Sequence, residues 1–182
     1  WIVLHPGSHK GTGIDSGLER AVELIDAAFE KSESKSGILL ETTSGQGDSL
    51  GCRFEDLGDI IQSSQFGEKL GVCLETCHVF AAGYDFTTPA GMKSMISDFD
   101  RSIGIDRLKL VHLNDSKFEA GSNKDRHEHI GKGKIGIDGI ERFLREPAFN
   151  QIPLILETPK EGEDRYSSDR QNLKKVKKIL QS

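Results

Sequence analysis

The segment Val111–His127, VHLNDSKFEAGSNKDRH, joins a short apolar run to a polar loop in which histidines and carboxylates recur. The apolar run ends in His112, and Asp125 and His127 stand two residues apart after a glycine break. An imidazole and a carboxylate at positions i and i+2 of an extended loop can bind one ion, because zinc accepts histidine nitrogen and Asp or Glu oxygen. The alternative is an ordinary solvated loop after a strand, and the rest of the chain decides between the two.

The same arrangement occurs four more times along the chain. Each time, a short apolar run ends in a histidine or a glutamate that is followed by turn or polar residues. The terminal residues are His5, Glu41, Glu75, His112 and Glu157, and they lie 34 to 45 residues apart. A repeat of this length, with one strand and one helix in each unit, is typical of successive βα units.

Amphipathic helices are predicted between these strands. A capping box, Ser16-x-x-Glu19, predicts the start of the first helix. Pro89 suits the first turn of another helix. Apolar residues at helical spacing predict helix faces over 18–29, 54–61, 92–99, 137–144 and 173–180.

Short, nearly all-apolar strands that alternate with helices predict an α/β fold with a parallel sheet covered on both faces. Metal donors at the carboxyl end of every strand indicate one site at the top of a (β/α)8 TIM barrel, because an open doubly wound sheet binds ligands only at its switch point. Eight βα units need about 250 residues, whereas the 182 residues contain five predicted strands. We therefore expect one domain over 1–182 that forms an N-terminally truncated partial barrel with five of the eight βα units; an open partial barrel with two raw edges is the alternative.

Composition limits the class of protein. The formal net charge of −5 argues against a polyanionic partner, but this objection weakens if many carboxylates bind divalent cations. Three cysteines form no even disulfide framework, which favours a reducing, intracellular compartment. No apolar run approaches the roughly 18 residues of a membrane span. The sequence thus predicts a cytoplasmic monomer without a membrane partner, which in a eukaryote would be nuclear or mitochondrial.

The spacing of the donors also predicts a type of chemistry. Two ions about 3.5–4 Å apart need a bridging carboxylate and further ligands on each ion, and such a pair can clamp the attacking and leaving oxygens of a displacement at phosphorus. Glu41, Glu75, His112 and Glu157 stand at strand ends, and His78 can join Asp125 and His127 on another ion. A lone glutamate or histidine of this kind is often only a salt-bridge partner or a core side chain, but eight at matching positions favour a metal centre.

Five segments of the chain resemble the endonuclease IV family of apurinic/apyrimidinic (AP) endonucleases: LHPGSH, LLETTSGQG, GVCLETCHVFAAGYD, HLNDSKFEAGSNKDRH and PLILET. The likeness covers essentially all 182 residues and predicts the C-terminal two-thirds of an endonuclease IV-like barrel. It implies three zinc ions, with Mn²⁺ possible at some sites. It also implies a base-excision-repair enzyme that hydrolyses double-stranded DNA 5′ to an abasic site through a metal-bridging hydroxide, leaving a 3′-hydroxyl and a 5′-deoxyribose phosphate.

The resemblance also implies roles for individual residues. His5 and Glu41 would bind one zinc ion, and Glu41 would bridge to a second ion held by Glu75, His112 and Glu157. His78, Asp125 and His127 would bind the third ion. Glu41 and Glu157 are the carboxylates that we predict to be catalytic.

Two departures from the family pattern affect these expectations. Glu75 replaces the family's aspartate, and one extra methylene moves a carboxylate by about 1.5 Å, whereas ligand distances vary by only about 0.2 Å. A further zinc-binding histidine and the DNA-intercalating loops of the family precede the position of Trp1, so the 182-residue chain alone is expected to be poorly active. Cys73 is expected to be a buried small hydrophobic residue one layer below the site, in preference to a zinc ligand.

Two alternatives remain open at this point. A sugar isomerase or epimerase on a similar barrel would use Glu41, Glu75, His112 and Glu157 for one or two Mn, Mg or Co ions, but it has no need of the set formed by His78, Asp125 and His127. A barrel that binds damaged DNA without cutting it is the other possibility. Comparing binding with incision on an abasic duplex separates a binding protein from a nuclease.

Overall fold

The computed structural model describes residues 1–161, 164 and 166–181. Its strands in chain order are β1 (Ile2–Leu4), β2 (Ile38–Glu41), β3 (Leu70–Glu75), β4 (Leu108–His112), β5 (Asp115–Ser116), β6 (His127–Glu128) and β7 (Leu154–Ile155). The helices are α1 (Ile14–Lys31), α2 (Phe54–Ser63), α3 (Thr76–Ala82), α4 (Pro89–Ser102), α5 (Gly136–Leu144) and α6 (Ser167–Gln181). Single 3₁₀ turns cover Gly67–Lys69, Ile105–Arg107 and Pro147–Phe149.

Five strands form one parallel sheet in the order β1-β2-β3-β4-β7. All six residues of β3, in the middle of the sheet, are buried, as expected for a parallel strand covered on both faces. The two edge strands are more exposed, since Ile2 in β1 and Ile155 in β7 present about half of their surface to solvent. The predicted succession of five parallel strands is therefore confirmed, and their carboxyl ends share one edge of the sheet.

Apolar helix faces build the core on the sheet. The predicted stripe in α2 is buried, and α2 packs against α1 and α4. Pro89 occupies the first turn of α4, and the Thr88 hydroxyl caps this helix by accepting a hydrogen bond from the Gly91 amide at 3.0 Å. Among the described residues, no helix has both the length and the apolar composition that crossing a membrane requires.

The predicted capping box is wrong. Helix α1 begins at Ile14, so Ser16 lies within its first turn, and the N-cap is Gly13 without a side-chain cap bond. Gly13 has a φ of 93°, a conformation that glycine adopts at little cost, and its carbonyl accepts from the Gly17 amide at 3.1 Å. The backbone turn at this glycine starts the helix two residues before the serine.

Two elements follow the carboxyl ends of strands at places where the sequence shows no periodic signal. Helix α3 begins directly after β3, with Glu75 as its N-cap residue. Strands β5 and β6 pair antiparallel and close the loop between His112 and His127 into a hairpin. Both elements lie at the edge of the sheet where the predicted metal donors are found.

Candidate metal centre

The last residues of three neighbouring strands carry donor side chains to one place. Glu41, Glu75 and His112 end β2, β3 and β4, and Glu75 pairs with His112 in the sheet register. All three side chains are buried. His5 follows β1 by one residue and Glu157 follows β7 by two, so all five strands contribute to one site.

The carboxylate of Glu41 lies between two histidines. Its Oε1 atom is 3.0 Å from Nδ1 of His112, and its Oε2 atom is 3.2 Å from Nε2 of His5. Burial raises the pKa of Glu41, but His112 and His5 outweigh it and hold that pKa at about 2. A charged carboxylate with one oxygen toward each imidazole has the arrangement that a bridging ligand of two ions requires.

Three carboxylates surround the imidazole of His112. Its Nδ1 atom is 3.0 Å from Glu41, 3.2 Å from Oε2 of Glu157 and 3.9 Å from Oε2 of Glu75. One donor atom of each of these four residues lies within 4.8 Å of the others. Burial disfavours the charged imidazole, but contacts with Cys73, Glu157 and Glu41 outweigh burial and raise the pKa of His112. The structure therefore brings together the whole set that the sequence predicted for the second ion.

His78, Asp125 and His127 also meet. Oδ1 of Asp125 is 3.0 Å from Nε2 of His78 and 3.5 Å from Nε2 of His127. His78 lies 3.7 Å from Glu41 as well, and its donor atoms fall within 4.8 Å of those of His5 and Glu41. His78 therefore stands between the set around His5 and the set around Asp125.

Both imidazoles of this set are held in one tautomer. The backbone carbonyl of Thr42 accepts from Nδ1 of His78 at 2.8 Å, and the carbonyl of Glu157 accepts from Nδ1 of His127 at 3.1 Å. Because a carbonyl can only accept, each Nδ1 carries a hydrogen, and Nε2 is the nitrogen that can bind a metal once the imidazole has lost its second proton. Within the described residues, neither buried Nε2 atom has an aligned hydrogen-bond partner. Metal-binding histidines have this pattern, with the second ring nitrogen bonded to a carbonyl.

The donor types and these two buried nitrogens fit a divalent metal of the zinc kind. Imidazole nitrogens and carboxylate oxygens are zinc donors. Two thiols also lie near, since Cys73 falls within 4.8 Å of Glu41 and His112, and Cys77 within 4.8 Å of Asp125 and His127. Burial raises the pKa of Cys77 to about 12, so this thiol stays protonated in the metal-free protein. Cys73 is fully buried, as expected, and its role as a core residue in preference to a zinc ligand stays a prediction.

Both carboxylate oxygens of Glu75 accept hydrogen bonds from other residues of the chain. Oε1 accepts from the Cys77 amide at 2.8 Å and caps α3, and Oε2 accepts from the Asn114 side chain at 2.6 Å. Oδ1 of Asn114 accepts from the Glu157 amide at 2.8 Å. Asn114 thus joins two predicted ligands, a role that sequence reasoning missed, although its place two residues after His112 was a usable signal.

Side-chain hydrogen bonds connect the loop after β2 to the loop before β6. The Asn123 side chain donates to the Ser44 carbonyl at 2.9 Å, and the Gln46 side chain accepts from the Asp125 amide at 3.1 Å. A cleft of about 340 Å³ opens above the donors, lined in part by His5, Ser49 and Arg126. The guanidinium of Arg126 donates to the Asp125 carbonyl at 2.5 Å.

A family model described as xylose isomerase-like TIM barrel matches residues 1–178. The chain belongs to this family. A crystal structure of endonuclease IV from Thermus thermophilus is similar with a TM-score of 0.79 and 35% identity, over 98% of this chain and 61% of that one. The predicted TIM-barrel fold class and the resemblance to the endonuclease IV family are confirmed.

Curated relatives agree with this match. A protein named probable endonuclease 4 from Geotalea daltonii is 48% identical over 180 residues, which are 98% of this chain and 62% of the relative. One from Chloroflexus aurantiacus is 43% identical over all 182 residues and 63% of its own length. The chain thus spans about three fifths of the length of the relatives it matches.

Some solved structures are similar to this chain in fold but not in sequence. A D-tagatose 3-epimerase-like protein has a TM-score of 0.64 but 21% identity, over 98% of this chain and 62% of that one. At this identity the match shows a shared barrel architecture and nothing about the reaction.

Proposed function

We propose that the chain carries the metal centre of a zinc-dependent AP endonuclease of the endonuclease IV type. The reaction is hydrolysis of the phosphodiester 5′ to an abasic site in double-stranded DNA during base excision repair, which leaves a 3′-hydroxyl and a 5′-deoxyribose phosphate. The observation that carries the proposal is the meeting of three overlapping donor sets at one edge of the sheet. The relatives named endonuclease 4 support the same reaction.

Eight residues of this chain would hold the metal. They are His5, Glu41, Glu75, His78, His112, Asp125, His127 and Glu157, and three zinc ions are the proposed content, with manganese as a possible substitute at some positions. Bound divalent cations supply Lewis acidity and offset the negative charge that develops on a phosphoryl group in transfer.

The protein contributes charge and orientation to this reaction. Contact with His112 lowers the pKa of Glu157, and the pKa of Glu41 is also low, so both carboxylates are ionised at neutral pH. Each can therefore bind a cation at neutral pH, which fits their proposed catalytic role as metal-binding carboxylates. The hydrogen bonds from Nδ1 of His78 and His127 to backbone carbonyls turn both Nε2 atoms toward the Asp125 carboxylate before any ligand arrives. The donor set is thus preorganised, and the proposed hydrolysis involves no covalent intermediate with a side chain.

The proposed partner is double-stranded DNA that contains abasic sites. The exposed guanidinium of Arg126 at the rim of the cleft can contact a phosphate, because guanidinium groups form paired hydrogen bonds with phosphate oxygens. Bound cations at the centre would reduce the repulsion that the net charge of −5 imposes on DNA. We propose that the protein acts as an intracellular monomer, in agreement with the free thiols of all three cysteines.

Metal content and strand incision test this function together. The full-length natural protein should contain close to three zinc ions per chain by inductively coupled plasma mass spectrometry. It should cut a duplex at an abasic site and leave the matched intact duplex uncut, and chelation should abolish the cut. Incision that survives complete removal of metal would overturn the proposal. The 182-residue chain by itself is expected to incise poorly.

One observation favours a second candidate, a metal-dependent sugar isomerase or epimerase. Glu41, Glu75, His112 and Glu157 form a four-donor set that could serve such an enzyme without further ligands. An isomerase or epimerase of this kind has no need of the second donor set, which consists of His78, Asp125 and His127. One manganese ion per chain together with sugar isomerisation would support this candidate, and tight abasic-duplex binding without incision would indicate a binding protein.

A further inference from the structure

The side chain of Asn172 ties the C-terminal helix α6 to two loops of the metal centre. Its Nδ2 atom lies 3.0 Å from Nδ1 of His129 and donates to the Thr158 hydroxyl at 2.9 Å, and its Oδ1 atom accepts from the Ile130 amide at 3.1 Å. Asn172, Thr158 and Ile130 are at most 2% exposed and His129 is 6% exposed, so water cannot readily replace these bonds. A single buried side chain therefore connects three points on two separate loops.

The hydrogen bonds of Asn172 have a fixed direction. Both Nδ2 hydrogens are donated and Oδ1 accepts, which uses each of its polar atoms. Nδ1 of His129 must accept, so its Nε2 carries the hydrogen and faces Oε2 of Glu161 at 3.2 Å. Aspartate at position 172 would have nearly the same shape but could donate neither bond.

The residues that Asn172 holds are next to proposed metal ligands. Thr158 directly follows Glu157, and His129 lies two residues after His127. Nδ1 of His127 in turn donates to the Glu157 carbonyl at 3.1 Å. These bonds close a ring through both loops and α6, so a shift of one loop moves both ligands.

We propose that Asn172 is a positioning residue of the metal centre, which holds in place the two loops that carry His127 and Glu157, the proposed ligands of two neighbouring zinc ions. The inference rests on the proposed function, because it assumes that these two residues bind metal. Asn172 touches neither ligand side chain and acts through Thr158 and His129. Residues that orient metal ligands typically change metal affinity by about 10- to 100-fold when they are replaced.

Asn172→Asp tests this role in the full chain, with Val176→Ala as the matched control. Val176 is buried in the same helix and packs into the apolar core, so its truncation loosens α6 without touching the polar ring. Zinc affinity is measured by competition with a chromophoric chelator at a temperature where both metal-free variants are folded. We expect Asn172→Asp to weaken the binding of zinc by about 10- to 100-fold, whereas Val176→Ala lowers the melting temperature and leaves zinc affinity within about twofold.

The outcomes separate the inference from the proposed function. A wild-type chain that binds no zinc overturns the proposed function and the inference with it. A wild-type chain that binds zinc, together with an Asn172→Asp variant of equal affinity, overturns the inference alone. Equal losses of zinc affinity in Asn172→Asp and Val176→Ala would mean that α6 has only a structural role, which also contradicts the inference.

A second variant covers the case in which Asn172→Asp does not fold. Thr158→Val keeps the shape of the side chain and removes the acceptor for one of the two donated bonds. We expect it to weaken zinc binding by about tenfold, at the low end of the same range. Unchanged zinc affinity in this variant would contradict the positioning role.

Discussion

The strand-end donors and the loop donors of the metal centre are held in different ways. Glu41, Glu75 and His112 end strands of the sheet, and their side chains are at most 7% exposed. The loop donors, by which we mean His5, Asp125, Glu157 and the first residue of the short hairpin strand β6, His127, have side chains that are 19 to 57% exposed. The sheet fixes the first group through the backbone ladder, whereas Asp125 and Glu157 in the second group are held by side-chain hydrogen bonds from distant parts of the chain.

This difference indicates how the site is assembled. Strand ends converge because parallel strands share an edge, so the fold alone delivers three donors. The loop donors are positioned by groups such as Gln46 and Asn114, which bond to the amides of Asp125 and Glu157. Metal binding should therefore order the loop side of the centre more than the strand side.

Glu41→Gln should have the largest effect, because Glu41 serves two donor sets from the rigid side. We expect loss of two of the proposed three ions and a fall in incision of about 10³-fold or more, the scale of losing a preorganised electrostatic group. Metal content and incision of the abasic duplex are the measurements. Asp48→Asn, which neutralises an exposed acid of the following loop, is the matched control. If Glu41→Gln still binds all three ions, Glu41 does not bridge two of them.

Asp125→Asn should have a smaller and local effect on the loop side. Its carboxylate lies between His78 and His127, so its loss should release the third ion and leave the other two in place. Incision should fall by about 10²- to 10³-fold. Glu119→Gln neutralises an acid of the same loop that pairs with Lys134, and it should keep three ions. Loss of all metal in Asp125→Asn would mean that the two halves of the centre bind as one unit.

Metal binding should release protons from His78. Burial disfavours the charged imidazole, but Asp125 and Glu75 outweigh burial and raise the pKa of His78 to about 9. At pH 7.5 the metal-free side chain is therefore protonated, whereas a metal binds the neutral form. Zinc affinity should rise with pH by about tenfold per unit for this proton and flatten above pH 9. A pH indicator can count the released protons, and His78→Gln should release one fewer.

The same raised pKa sets the sign of the stability change in the metal-free chain. A histidine with a pKa of about 9 when folded, against 6.5 when unfolded, stabilises the fold fully below pH 6.5. That contribution is lost as pH rises from 6.5 through 9. Denaturation by urea at several pH values should show a decline over this window that His78→Gln reduces, and an unchanged decline would contradict the assignment to His78.

Sequence could predict what depends on chain order and periodicity. The donors at the ends of β2, β3 and β4 follow directly from short apolar runs that stop at an ionisable residue. The face of α2 followed from the spacing of Phe54, Leu57 and Ile61. Because the predicted strands are parallel, their carboxyl ends lie at one edge of the sheet, and this places the donors of all five strands together.

Sequence could not predict what depends on contacts between distant segments. Asn172 lies 43 residues from His129, and no spacing rule tells which polar residue of α6 faces inward. The start of α1 was set by the backbone of Gly13 and not by the serine that matched a cap. The β5–β6 hairpin has only two residues in each strand, too few for a period-two pattern to show.

The smallest effect that we expect is a difference in zinc affinity between variants of Glu75 and Glu157. The more buried of these two carboxylates should be the weaker zinc ligand. Glu75 is fully buried and burial raises its pKa to about 7, so burial favours the neutral carboxyl over the charged form that binds a metal. It is also 3.9 Å from Nδ1 of His112, compared with 3.2 Å for the half-exposed Glu157. Glu157→Gln should therefore weaken zinc binding more than Glu75→Gln, for which we expect about a tenfold loss.

The metal-free forms of the same two variants should rank in the opposite order. In Glu75→Gln, the new amide cannot accept from both the Cys77 amide and the Asn114 side chain, so one buried donor loses its partner. An unsatisfied buried donor costs about 1–3 kcal/mol of unfolding free energy. The side chain of Glu157 is 45% exposed, and water can replace its contacts. Chelator competition and urea denaturation on the two variants measure both rankings. If Glu75→Gln loses more zinc affinity than Glu157→Gln, the buried carboxylate is a full ligand, and strand-end donors dominate the centre throughout.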